Sequence, residues 1–183
     1  MVTDERTISS EQMYRIEDNG HTNFGMKKVL MMENAGHGIA DFIMSEKGHD
    51  LYGKKIISFC GTGNNGGDAL VASRHLSGYH GADVTIVLLG DAGNIKTEET
   101  MVNWSIVGKM KSIRILRGTN ACKLAKKEVP NSKIIIDGIF GTGIKGGIRE
   151  PYLSAIDLIN SSTAYVVAVD IPSGLDPNDG TYH

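Results

Sequence analysis

Three short segments of the chain combine glycine with Asn, Asp, Ser or Lys in patterns suited to holding a charged ligand. The first, residues 61–68 with the sequence GTGNNGGD, satisfies the pattern G-x-G-x-x-G. Glycines so placed let the backbone approach a phosphate, and a helix that follows presents free N–H groups to the phosphate charge. A tight turn without a ligand meets the same pattern, so the motif alone leaves both interpretations open.

Asn64, Asn65 and Asp68 add polar side chains that a plain turn does not require. Asn adopts left-handed backbone conformations readily, which is the structural alternative for the Asn pair. Asp68 could simply cap a helix. Because a diphosphate would repel a carboxylate, the ligand group expected for Asp68 is a sugar hydroxyl or a backbone amide.

The second segment, residues 137–147, reads DGIFGTGIKGG. Asp137 follows an isoleucine run directly, so its carboxylate lies at the end of a buried strand and needs a partner or a cation. A carboxylate together with amide or hydroxyl oxygens suits an alkali or alkaline-earth ion. Lys145 supplies a flexible positive charge for a phosphate or a developing anion, although a solvated loop lysine has the same spacing.

The third segment, residues 169–176, places Asp170 at the end of an apolar run and Pro172 just beyond it. Pro172 prevents the strand from continuing, so the chain must turn there. Partial burial of Asp170 would raise its pKa toward neutral, which suits a general acid and base. A structural turn Asp bonded to nearby N–H groups is equally compatible with the sequence.

The hydrophobic pattern predicts a scaffold that brings these segments together. Apolar runs without alternation are typical of strands buried on both faces, and they lie at 54–60, 83–89, 112–117, 133–140 and 164–170. Helices are predicted at 10–18, 25–46, 67–79, 96–110, 120–128 and 152–160. Alternating strands and helices indicate an α/β, Rossmann-like three-layer αβα domain with a mainly parallel sheet, and a mixed α+β arrangement is the alternative. Ligands bind beyond the carboxyl ends of such strands.

The two leading helices carry signals of their own. Ser9-Ser10-Glu11-Gln12 has the pattern of a helix start in which a Ser side chain accepts from a backbone N–H while Gln12 reaches back. The second helix has apolar residues at spacings of three and four, which predicts one stripe packed on the sheet. This stripe contains Val29, Met32, Ala35, Ile39, Phe42 and Ile43.

Composition narrows the class of protein. With 183 residues, 40% of them hydrophobic, the chain can bury one substantial core, so we expect one domain over residues 1–183. A net charge of -2 and scattered basic residues do not suggest a nucleic-acid or membrane-binding surface. The polar start lacks the features of a signal peptide, no run approaches the roughly 18 apolar residues of a spanning helix, and two cysteines make no disulfide framework. The expected compartment is the cytoplasm.

Taken in order, the segments GTGNNGGDALVASRHL, IDGIFGTGIKGG and AVDIPSGLDPNDG closely resemble three signature blocks of the NAD(P)H-hydrate epimerase family, also called the YjeF N-terminal-domain family. The leading segments ISSEQMYRIED and MMENAG are similar to the opening of that family. Family members normally continue through further strands beyond the point matched by His183. The resemblance therefore implies a shortened form or a fragment whose sheet lacks the last family strands, or a sheet that receives its missing edge from a partner.

The resemblance also implies a substrate and a site. The substrate would be NADHX and NADPHX, hydrated forms of NADH and NADPH whose R and S epimers are interconverted so that a separate ATP- or ADP-dependent dehydratase can restore the usable form. A potassium ion would be held by Asn65, Asp137 and Ser173, and the protein would form a homodimer. Asp170 and Lys145 would be catalytic. The substrate-contacting residues would be Asn64, Asn65, Gly66, Gly67, Asp68, Gly141, Thr142, Gly143, Ile144, Lys145, Gly146, Gly147 and Asp170.

Two other interpretations compete with this one. A nicotinamide dehydrogenase carries an acidic residue about 20 positions after its glycine motif, and Asp91 comes later than that. A non-catalytic binding module of the same fold would have lost the Asp and Asn positions of the three blocks, which are all present here. A P-loop NTPase is excluded because neither glycine segment ends in Gly-Lys-Ser/Thr.

Overall fold

The computed structural model describes residues 8–143, 147–177 and 179–182. Within these residues, five strands form one sheet: β1 (Lys55–Cys60), β2 (Asp83–Leu88), β3 (Ile113–Leu116), β4 (Ile134–Gly138) and β5 (Tyr165–Ala168). All neighbouring strands pair in parallel, in the spatial order β3-β2-β1-β4-β5. β2 and β3 are therefore added on one side of β1, whereas β4 and β5 are added on the other side, so the strand order reverses between β1 and β4. The carboxyl ends of these two strands flank the switch point where ligands bind in open α/β sheets.

Six α-helices surround the sheet in the described residues: α1 (Ser10–Thr22), α2 (Lys28–Lys47), α3 (Asn64–Gly78), α4 (Glu98–Val107), α5 (Ala121–Ala125) and α6 (Tyr152–Asn160). Residues of α3 and α4 bury one face of the sheet, and residues of α5 and α6 bury the other. The predicted Rossmann-like three-layer α/β class is confirmed.

The strands are apolar on both faces because each face packs against helices. In β1, Ile56 and Cys60 belong to the core beneath α3, whereas Ile57 and Phe59 belong to the core beneath α5 and α6. This two-sided burial explains why the strand sequences lack the alternation of a half-exposed sheet. The carboxyl end of β1 leads directly into the first glycine segment.

The packing predicted for α2 is wrong. This helix packs mainly against α3 and α4 rather than on the sheet, and the predicted stripe residues Ala35 and Phe42 are exposed. At Gly36, an added Cβ would lie 2.3 Å from the Val71 Cβ, so α2 approaches α3 through a residue that has no side chain. Small residues therefore enter the interface, and the buried face consists of Met32, Gly36, Ala40, Ile43 and Met44.

Helix starts follow local chemistry where a cap is present. The predicted capping box of α1 is confirmed: the Gln12 backbone N–H donates to Ser9 Oγ at 3.2 Å, and the Ser9 N–H donates to Gln12 Oε1 at 2.8 Å. α3, by contrast, begins at Asn64, three residues before the predicted start. Gly66 and Gly67 weaken the helical signal of this turn because glycine is a poor helix former.

Two expectations from the sequence concern the cysteines and the absence of a membrane-spanning helix. Cys60 and Cys122 are both free thiols. Among the helices in the described part of the chain, none combines the length and apolar character needed to cross a bilayer.

Candidate active site

The three glycine-containing segments meet beyond the carboxyl ends of β1, β4 and β5. The Gly61 N–H donates to the Gly138 carbonyl at 3.0 Å, and the Val169 N–H donates to the Asp137 carbonyl at 2.8 Å, which joins the strand ends side by side. A Cβ placed on Gly141 would lie 2.6 Å from Asp170 Oδ2 and 3.2 Å from Asn65 Oδ1. Side chains from the first and third segments therefore face a glycine turn of the second.

The amino end of α3 supplies donors to this place. Gly63 is the N-cap residue without a side-chain cap, and the Gly67 N–H closes the first turn on the Gly63 carbonyl at 3.1 Å. The N–H groups of Asn64, Asn65 and Gly66 come before that bond and have no acceptor inside the helix. They carry the partial positive charge of the helix end, which suits a phosphate. Asp68 is the fifth residue of α3, so it does not cap the helix.

Asp137 is buried and bound to the third segment. Its carboxylate accepts from the Ser173 hydroxyl at 2.6 Å, from the Ser173 N–H at 2.9 Å and from the Ile139 N–H at 3.3 Å. Burial raises the pKa of Asp137, and these hydrogen bonds oppose the rise. The Phe140 N–H in turn donates to Ser173 Oγ at 2.9 Å. Asp137 thus connects the turn after β4 to the turn after β5.

Asn65, Asp137 and Ser173 fit a hard, singly charged cation. Asn65 Nδ2 is buried without a hydrogen-bond partner in the described structure, while Asn65 Oδ1 faces Gly141. One carboxylate, one amide oxygen and one hydroxyl are oxygen ligands with a single negative charge in total, and oxygen ligands suit a hard cation. The described residues contain no group of three or more His, Cys, Asp or Glu side chains arranged to hold a metal ion.

Asp170 is exposed, so the expectation that partial burial would prepare it for acid–base chemistry is wrong. Its φ of 70° is left-handed, and the Ile171 N–H donates to the Val169 carbonyl at 2.9 Å across it. Such a three-residue turn with positive φ is rare and strained, and strained residues cluster at functional sites. The turn moves the side chain out of the sheet toward the second glycine segment, where the Thr142 N–H donates to Asp170 Oδ2 at 3.4 Å.

The carboxyl group whose pKa burial raises most clearly is Asp68. Burial, followed by the like charges of Asp170, Glu17 and Glu99, raises the pKa of Asp68 to about 7. A group with this pKa carries a proton on about half of the molecules at neutral pH.

Helix α1 adds residues that the sequence analysis did not identify. The Tyr14 hydroxyl lies 2.9 Å from Thr142 Oγ1. Burial and the charge of Asp170 raise the pKa of Glu17, while Lys28 lowers it. Tyr14 and Thr142 are 128 positions apart, and no local motif joins them. The one feature of the sequence that links Tyr14 and Glu17 is their spacing of three residues, which places them on one face of a helix.

Part of the second segment cannot be placed. Ile144, Lys145 and Gly146 lie outside the described residues, so the roles predicted for them stay predictions. Gly143 is described and exposed, with an added Cβ 3.3 Å from the Tyr14 hydroxyl. Gly147 is described and exposed as well.

The parallel sheet and the uncapped helix start at its switch point define a Rossmann-type α/β domain, and that helix start, which is of the kind that binds anions, lies beside carboxylates. More particularly, the chain belongs to the family described as YjeF-related protein N-terminus, whose model matches residues 28–183.

Known proteins similar to this chain agree with that assignment. This chain is 50% identical over 173 residues to a protein of Nitrosopumilus maritimus named NAD(P)H-hydrate epimerase, and the match covers 94% of this chain and 77% of that relative. It is 42% identical over 175 residues to the bifunctional NAD(P)H-hydrate repair enzyme Nnr of Archaeoglobus fulgidus, covering 96% of this chain and 34% of the relative. The crystal structure of yeast ynu0 has the same fold, with a TM-score of 0.82 and 24% identity over 97% of this chain and 75% of that one.

Proposed function

We propose that this protein is an NAD(P)H-hydrate epimerase, an isomerase that interconverts the R and S epimers of NADHX and NADPHX. Relatives of the same family carry that name at about half sequence identity. The observation that carries the proposal is that Asn65 and Asp170 both face Gly141, beside the open amino end of α3. This arrangement offers amides for a diphosphate and carboxyl groups for proton transfer within one site.

The reacting carbon of the substrate bears both a hydroxyl group and the ring nitrogen. Loss of hydroxide leaves a cation that the nitrogen stabilises, and addition of water to the other face inverts the centre. Asp170 takes part as a general acid and base, protonating a hydroxyl that departs on its side of the ring or taking a proton from water that adds there. The N–H groups at the start of α3 hold the diphosphate, and we assign Lys145 to the same anion. A potassium ion held by Asn65, Asp137 and Ser173 would neutralise the charge of Asp137 and order the two turns.

We propose that residues 1–183 act as one epimerase-type domain and that the reaction serves an ATP- or ADP-dependent dehydratase. Support for this coupling comes from the bifunctional NAD(P)H-hydrate repair enzymes among the relatives. The chain spans about a third of the length of those bifunctional proteins. The dehydratase step would therefore take place in another domain or another protein.

A homodimer is the assembly that we propose. Helix α1 has no buried residue. Large apolar side chains on α1, on the segment after it and at the start of α2 are exposed, including Ile16 at 57%, Phe24 at 78% and Leu30 at 54%. An apolar surface of this kind is typical of protein interfaces, and a second copy would cover it. Sedimentation equilibrium should give twice the chain mass, and a monomer mass at micromolar concentration would rule out a stable dimer.

A coupled assay tests the proposed activity. With an R/S mixture of hydrated NADH and an S-specific dehydratase, this protein should accelerate depletion of the R epimer, and potassium should increase the rate relative to a potassium-free buffer. Potassium should also raise the melting temperature, because an ion that binds only the folded chain stabilises it. Depletion at the spontaneous rate would instead favour a non-catalytic binding module, and hydride transfer by the purified protein would favour a dehydrogenase.

A further inference from the structure

Inversion of the hydroxyl-bearing carbon places a demand on proton transfer that a single carboxyl group meets poorly. The hydroxyl departs from one face of a planar cation, and water adds to the opposite face. A side chain must lie within hydrogen-bond distance of the proton that it transfers, roughly 2.6–3.2 Å. One fixed carboxyl group satisfies that distance on one face only, so epimerisation favours a pair of groups.

Two carboxyl groups of the site, those of Asp68 and Asp170, lie in contrasting surroundings. Asp68 projects from the second turn of α3, after β1, and is half-buried. Asp170 projects from the strained turn after β5 and is exposed. Asn65 lies three residues before Asp68 on the same helix and faces the Gly141 turn together with Asp170. The two carboxyl groups therefore belong to one site but come from different elements, so each can serve a different side of a bound ring. Like charge across the site disfavours ionisation of both groups at once.

We infer that Asp68 and Asp170 form an acid–base pair for the epimerisation, each serving one face of the hydroxyl-bearing carbon. This inference rests on the proposed function and deepens it. Burial of Asp68 and the charge of Asp170 give Asp68 a pKa of about 7, so the proton of the pair resides on Asp68 for a large fraction of molecules at neutral pH. The pair then contains one acid and one base, as inversion requires.

The proton balance closes without a further reactant. In one direction, Asp68 donates its proton to the hydroxyl group, the C–O bond breaks and water departs. A second water attacks the cation from the side of Asp170, the new C–O bond forms, and the released proton passes to Asp170. The reverse direction exchanges the two roles. Between turnovers, the proton returns to Asp68 through solvent, which reaches the exposed Asp170.

Charged groups from the surrounding elements maintain this asymmetry. Glu17 on α1 and Glu99 on α4 face Asp68, and their charges raise its pKa. From α2, uncharged Gly36 packs against the Asp68 carbonyl, and Lys28 acts on Glu17. The charges of the described residues that act on Asp68 are therefore all negative.

Exchange of the hydroxyl oxygen with ¹⁸O-labelled water separates a pair from a single group. For Asp68→Asn, inversion of both purified epimers should fall about 10²-fold or more, the range expected for loss of a general acid or base. The epimer whose hydroxyl faces Asp170 should still incorporate ¹⁸O with retention of configuration, because Asp170 can protonate the hydroxyl and deprotonate water on its own face. Asp170→Asn should show the mirror pattern, with retained exchange for the other epimer.

The results that would contradict the acid–base pair differ from the result that would contradict the proposed function. Inversion within threefold of the parent protein in Asp68→Asn, or loss of exchange from both epimers in either variant, would overturn the pair. Should Asp68→Asn fail to fold, judged by its melting temperature, Asp170→Asn provides the same test from the other side. A parent protein that inverts neither epimer contradicts the proposed function instead.

The pH profile of Glu17→Gln adds a further readout. The profile would not shift if the role of Asp68 were purely structural. Removing the Glu17 charge removes a like-charge interaction, so the pKa of Asp68 falls. The acid form of Asp68 is then lost at lower pH, and the basic limb of the rate profile should move to lower pH than in the parent protein. An unmoved basic limb, or one moved to higher pH, would contradict the role of Asp68 as the acid.

Discussion

Replacing Asp170 with Asn is expected to abolish epimerisation while leaving dinucleotide binding largely intact. Asn has nearly the same size as Asp, tolerates the φ of 70° at this position and can still accept the hydrogen bond from the Thr142 N–H. It cannot donate and recover a proton as a carboxyl group does, so turnover should fall by about 10²–10⁴-fold. Initial rates with the purified R epimer, together with titration calorimetry of the same dinucleotide, measure the two effects.

Matched variants show whether the loss comes from chemistry. Asp41→Asn removes a carboxylate from the exposed surface of α2 and should leave the rate unchanged. Asp170→Ala removes the acid and also places a residue with a Cβ but no polar group in a left-handed conformation, so it should be less stable than Asp170→Asn. Turnover of Asp170→Asn within threefold of the parent protein, or a loss of binding equal to the loss of rate, would contradict the assignment.

The fold was predictable because its main signal is local and repeated. Each strand is buried on both faces, so its apolar run has no alternation, as in Ile134-Ile135-Ile136 of β4. Helices between such runs require parallel pairing, and parallel strands place their carboxyl ends at one edge. The convergence of the segments after β1, β4 and β5 follows from those rules.

Packing that depends on small residues was not predictable in the same way. Hydrophobic periodicity counts apolar side chains at spacings of three and four, so it selected Ala35 and Phe42 for the buried face of α2 and did not select Gly36. Gly36 instead determines where α2 meets α3, because a Cβ there would collide with Val71. The early start of α3 has a similar origin, since Gly66 and Gly67 read as loop while their backbones form a helical turn.

The distribution of charge in the site also depends on contacts that no motif encodes. Asp170 has the position of a buried catalytic acid by sequence, yet its turn exposes it. Asp68 has the position of a ligand-binding or capping residue, yet helices from elsewhere in the chain bury it and bring Glu17 and Glu99 close enough to raise its pKa. Burial is a property of the assembled layers, so the sequence identified the carboxyl groups without their proton affinities.

The connection between β1 and α3 holds the site together at a contact that only glycine permits. A Cβ on Gly66 would lie 2.0 Å from the Gly61 carbonyl oxygen, 2.7 Å from its carbon and 2.9 Å from its nitrogen. All three atoms are backbone, so no side chain can rotate away to relieve the contact. Any larger residue at Gly66 must therefore separate α3 from the end of β1.

Gly66→Ala should consequently destabilise the protein, although Ala favours a helix by about 1 kcal/mol over Gly. Overpacking costs about 1–3 kcal/mol, and a collision with backbone belongs at the upper end. A net loss of about 2 kcal/mol would lower the melting temperature by roughly 4–8 °C in a chain of this size. Epimerisation should fall as well, because Asn65 and Asp68 move with the first turns of α3. Differential scanning calorimetry and the coupled assay measure the two effects.

Gly38→Ala supplies the control, since Gly38 lies within α2 and an added Cβ there meets no atom within 4 Å. Helix propensity alone acts at Gly38, so this variant should be more stable than the parent protein. The two substitutions are chemically identical and have opposite expected signs. If Gly66→Ala also raised the melting temperature and kept full activity, the β1–α3 connection could relax without moving Asn65 or Asp68. The close backbone contact would then not be what positions these two side chains.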